Sequence, residues 1–86
     1  MKAHILIVED DPSLSELLTY NFVSARFKTS LINNGEEVMP TILSEHPKLI
    51  ILDWMLPNLS GIEICGQIRK HVDVKKIPII MLTAKG

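Results

Sequence analysis

Leu49-Ile50-Ile51-Leu52-Asp53 is a short apolar run closed by an acid, and its reading decides the fold of the chain. The aliphatic residues show no polar alternation, so as a strand this segment must be covered on both faces. Two other stretches repeat the pattern. Ile5-Leu6-Ile7-Val8 is closed by Glu9-Asp10, and Ile79-Ile80-Met81-Leu82 runs into Thr83-Ala84. Runs of this kind belong to a parallel sheet held between helical layers. Lys28–Ile32 is weaker: it alternates Thr29 and Leu31 with Lys28, Ser30 and Ile32, and reads as an edge strand.

The intervals between these strands carry helical spacing. After Asp11-Pro12, the residues Leu14, Leu17, Leu18, Phe22 and Ala25 form one apolar stripe. Pro12 suits the first helical position and Asp11 the N-cap before it. A second helix is expected over residues 36–45 with Val38, Ile42 and Leu43 inward. Pro40 falls inside it and removes a backbone donor, which requires a late start or a kink. Ser60-Gly61-Ile62-Glu63 fits the S-x-x-E capping box and opens a third helix, with Gly61, Ile64, Cys65 and Ile68 inward. The order β-α-β-α-β-α-β predicts an open α/β sheet with right-handed crossovers.

Eighty-six residues accommodate one domain at most, near the lower size for a stable core. A net charge of −1 with no basic stripe argues against direct nucleic-acid binding. A single cysteine, Cys65, excludes an internal disulfide and reads as a small buried hydrophobe. The apolar run at residues 5–8 is too short for a signal-peptide core or a membrane span, so a cytoplasmic protein is expected. His4, His46 and His71 lack the spacing of zinc ligands, and the glycines do not form a phosphate-binding loop.

Acids and a hydroxyl collect at the strand ends. Ligands of doubly wound sheets bind outside the carboxyl ends of the strands, where strand order reverses. With the order 2-1-3-4, Asp10 and Asp53 face one another there, with Glu9 beside them. Clustered carboxylates repel, and raised pKa values or a cation must relieve them. Hard oxygen donors with room for water suit Mg²⁺. A carboxylate can act as a nucleophile toward phosphorus, and the Thr83 hydroxyl could donate to a phosphoryl oxygen on Asp53.

Ile7-Val8-Glu9-Asp10-Asp11, Leu52-Asp53-Trp54-Met55-Leu56-Pro57, Ser60-Gly61, and Ile77-Pro78 followed by Met81-Leu82-Thr83-Ala84 together resemble the receiver domain of two-component response regulators. Asp53 through Pro57 with Thr83 through Gly86 looks most like the PhoB-like branch of the OmpR/PhoB class. The resemblance implies a flavodoxin-like (CheY-like) fold and a phospho-acceptor regulatory role rather than a dedicated enzyme, although family members dephosphorylate themselves. It implies that Asp53 accepts a phosphoryl group from a sensor histidine kinase. Glu9 and Asp10 would hold Mg²⁺ together with Asp53 and the backbone carbonyl of Met55, with Asp10 the direct ligand of the acidic pair. Thr83 would be the switch hydroxyl, and Pro57 and Gly61 would shape the loop after the acceptor strand. It also implies a receiver–receiver dimer and a C-terminal DNA-binding transcriptional regulator in the full-length protein, and no membrane partner.

The chain departs from the family at its end. The family's fifth strand, its lysine and the last two helices are missing, so residues 1–86 read as a partial receiver domain. Lys85 follows Thr83 too closely to take the lysine's place. A second reading is an interaction or decoy fragment, or a degenerate gene product, without phosphotransfer. A haloacid-type phosphohydrolase is excluded, because that chemistry needs an acid two residues after the nucleophile and Met55 stands there. Asp11 is read only as a helix cap, and Trp54 as partly exposed near the acceptor.

Overall fold

The computed structural model of the chain describes residues 2–56 and 59–82. Strands β1 (His4–Val8), β2 (Lys28–Ile32), β3 (Leu49–Asp53) and β4 (Ile79–Leu82) alternate with helices α1 (Pro12–Ser24), α2 (Val38–Glu45) and α3 (Gly61–Lys70). The strands form one parallel sheet in the order β2-β1-β3-β4, as the sequence led one to expect. Consecutive residues of a strand point to opposite faces, and the core divides accordingly. Leu6, Val8, Ile50 and Leu52 meet Val38 and Ile42 of α2 and Ile64 and Ile68 of α3. Ile5, Ile7 and Ile51 meet Leu18 and Phe22 of α1, with Phe27 edge-on to Phe22 at 5.9 Å. Central strands covered on both faces explain why β1 and β3 lack polar alternation. β2 lies at the sheet edge, where Leu31 is exposed and Ile32 packs inward.

Helix starts follow the capping chemistry of the sequence. The Asp11 carboxylate accepts the Ser13 N–H at 3.0 Å, with Pro12 as the first helical residue. Ser60 and Glu63 form the reciprocal capping box at the start of α3. The second helix begins later than residue 36: a 3-10 turn, Gly35–Glu37, precedes it. Pro40 therefore falls in the first turn of α2, where backbone N–H groups have no partner within the helix and a missing donor costs little.

Four core expectations need correction. Leu17 is 56% exposed and Leu43 is 38% exposed. Each lies about 100° round its helix from a neighbour, Leu18 or Ile42, that does face the sheet. Ala25 is exposed and forms the C-cap of α1 rather than the end of its stripe. Cys65 is only half-buried, at the margin of the larger core.

Candidate functional site

β1 and β3 are neighbours, with Val8 beside Leu52 in the register, so the residues that follow them are delivered to one place. Glu9, Asp10 and Asp53 each bring a carboxylate oxygen to within 4.8 Å of the others. Glu9 and Asp53 are buried and Asp10 is exposed. They line an open cleft of about 370 Å³ together with Leu14 of α1, Met55 and Leu82 of β4. This is the carboxyl end of a parallel sheet at its reversal of strand order, where such folds bind ligands.

Backbone donors orient the two buried acids. The Asp11 N–H donates to Glu9 Oε2 at 3.0 Å, and the Met55 N–H donates to Asp53 Oδ1 at 3.1 Å. Neither role is legible in the sequence, since both belong to main-chain atoms; the Asp11 side chain separately caps α1. Burial pushes the Glu9 carboxyl above the ordinary glutamate range. The Asp11 N–H opposes that shift, whereas hydrogen bonding to Asp53 and the charges of Asp53 and Asp10 reinforce it. A divalent cation would remove the repulsion that this arrangement holds. Three hard oxygen donors opening on a cleft with room for water fit Mg²⁺ by the chemistry of the donor set.

Met55 is 64% exposed at the cleft and Trp54 beside it is 39% exposed. The structure thus brings together Glu9, Asp10, Asp53 and Met55 of the sequence-derived set. Thr83, Pro57 and Lys85 lie outside the described residues. Among the described residues, no helix is long and apolar enough to cross a membrane.

Comparison with known proteins agrees with this geometry. The family described as the response regulator receiver domain matches residues 5–86. The phosphate regulon transcriptional regulatory protein PhoB of Rhizobium meliloti is 44% identical over 86 residues, covering 100% of this chain and 38% of that protein. The DNA-binding response regulator MtrA of Mycolicibacterium smegmatis is 41% identical over 85 residues, covering 99% of this chain and 36% of MtrA. The chain thus spans well under half the length of these relatives. Among solved structures, the N-terminal domain of a response regulator receiver protein from Methanoculleus marisnigri superposes with a TM-score of 0.90 at 27% identity, covering 94% of this chain and 66% of that one. The BeF3-activated receiver domain of Klebsiella pneumoniae RstA gives 0.87 at 30% identity, covering 94% and 67%. The chain belongs to the receiver-domain family of two-component response regulators, and its relatives are of the OmpR/PhoB class.

Proposed function

We propose that Asp53 is the phospho-acceptor of this chain and that Glu9, Asp10, Asp53 and the Met55 carbonyl hold Mg²⁺ beside it. The observation that supports this most strongly is the convergence of three carboxylates, two of them buried, at the ends of adjacent strands. Buried acids without a structural cation partner destabilise a fold, so their gathering at a ligand-binding edge favours a functional role. When bound, Mg²⁺ would neutralise charge on the transferring phosphoryl group.

The donor is a phosphohistidine of a sensor kinase. An Asp53 carboxylate oxygen attacks phosphorus, forming an O–P bond as the N–P bond breaks. The imidazole nitrogen keeps the electron pair and takes up a proton. The Met55 N–H at Asp53 Oδ1 orients the carboxylate for that attack. Hydrolysis of the resulting acyl phosphate returns the acid and accounts for the self-dephosphorylation of the family. Thr83 serves as the switch hydroxyl that meets the phosphoryl oxygens. Residues 1–86 act as part of a receiver domain in the cytoplasm, and phosphorylation controls dimerisation and a DNA-binding output elsewhere in the protein. PhoB and MtrA, described as a transcriptional regulator and a DNA-binding regulator, support that output.

The test is intact-mass spectrometry after incubation with acetyl phosphate and Mg²⁺. One phosphoryl adduct is expected in the native sequence and none in Asp53→Asn. An equal adduct in Asp53→Asn, or none in the native protein with Mg²⁺ bound, would overturn the assignment.

A further inference from the structure

Gly61 is the first residue of α3 and is buried, yet its φ is not positive. A left-handed backbone therefore does not account for glycine at this position; close approach does. A Cβ here would lie 2.9 Å from the Asp53 carbonyl oxygen, 2.9 Å from Trp54 Cα and 2.8 Å from Met81 Sδ. The methionine could swing aside. The other two atoms are main chain of the acceptor segment itself and cannot move without carrying Asp53 and Met55 with them.

Two further contacts join α3 to that segment. The Gly61 N–H donates to the Trp54 carbonyl at 2.8 Å, and Met55 and Ser60 form an antiparallel bridge. The capping box fixes where α3 begins, so the helix cannot shift by a residue to make room. Resting on the cation site proposed above, we propose that Gly61 is a positioning residue for that site. By seating α3 directly on the end of β3, it sets the Trp54-Met55 main chain. That main chain carries both the Met55 carbonyl and the N–H that orients the Asp53 carboxylate.

Gly66, on the same helix, provides an internal control, because a Cβ there meets no other part of the fold within 4 Å. The experiment is a Mg²⁺ titration read by the fluorescence of Trp54, the sole tryptophan, with far-UV circular dichroism alongside. Gly61→Ala is expected to weaken Mg²⁺ binding roughly 10- to 100-fold, as loss of supporting contacts does at other metal sites, while keeping its helical signal. Gly66→Ala is expected to bind as the native chain does. Native-like affinity in Gly61→Ala overturns the positioning role and leaves the cation site standing. A Gly61→Ala chain that unfolds makes the glycine a general packing requirement and overturns its specific role. Absence of Mg²⁺ binding in the native protein overturns the cation site itself.

Discussion

Glu9 and Asp53 stand at the carboxyl ends of adjacent strands with carboxylate oxygens within 4.8 Å, although both residues are buried. Burial and proximity each disfavour a second negative charge. The Asp11 and Met55 amides hold the two groups in place but do not cancel that charge. The metal-free fold is therefore electrostatically unsatisfied at the point where its chemistry is concentrated.

Glu9→Gln should stabilise the metal-free protein at neutral pH. The Glu9 pKa lies above its ordinary value of 4.5, so just above that pH the folded state holds a proton that the unfolded state has lost. Stability from this group is present at lower pH and is lost as pH rises through the folded pKa. Urea denaturation at several pH values without metal should show that decline in the native chain and its loss in Glu9→Gln. With saturating Mg²⁺ the ranking should reverse, because the native site binds the cation more tightly and gains the linked stability. A variant equal to or less stable than the native chain in the absence of metal would contradict the strain at Glu9.

Ile42 and Leu43 are adjacent on α2 and differ in environment: Ile42 is fully buried and Leu43 is 38% exposed. Ile42→Ala should cost about 2–5 kcal/mol, since it empties a packed site under β1 and β3. Leu43→Ala should cost well under half as much. Comparable midpoints for the two variants in chemical denaturation would show that the inward face of α2 is assigned wrongly.

Ser60→Ala removes the side-chain acceptor for the Glu63 N–H at the start of α3. The expected loss is about 1 kcal/mol, with faster amide exchange at Glu63. Because this end of α3 sits on the acceptor loop, Mg²⁺ affinity should fall as well, though less than in Gly61→Ala. Unchanged exchange at Glu63 would mean that the capping box contributes nothing in solution.

The strand pattern and strand order were legible because burial on both faces leaves an unbroken aliphatic run, as in residues 49–52. Asp11, Pro12 and Ser60 disclosed helix starts because capping is local chemistry. The late start of α2 was only half legible: Pro40 signalled trouble, but the 3-10 turn before it could not be read from composition. Leu17 and Leu43 misled because a generous apolar stripe does not say which edge of it a sheet will cover. The acidic trio could be placed from strand order alone. The amides of Asp11 and Met55, and the crowding at Gly61, depend on main-chain positions that no side-chain pattern encodes.

The central claim is tested most directly by finding where a phosphoryl group becomes attached. After treatment with acetyl phosphate and Mg²⁺, borohydride reduces an aspartyl phosphate to homoserine, which marks the acceptor permanently. Peptide sequencing by mass spectrometry should find homoserine at position 53, dependent on Mg²⁺ and sharply reduced in Asp10→Asn. Homoserine at position 10 or 11 instead, or none at position 53 in a protein that binds Mg²⁺, would contradict the account.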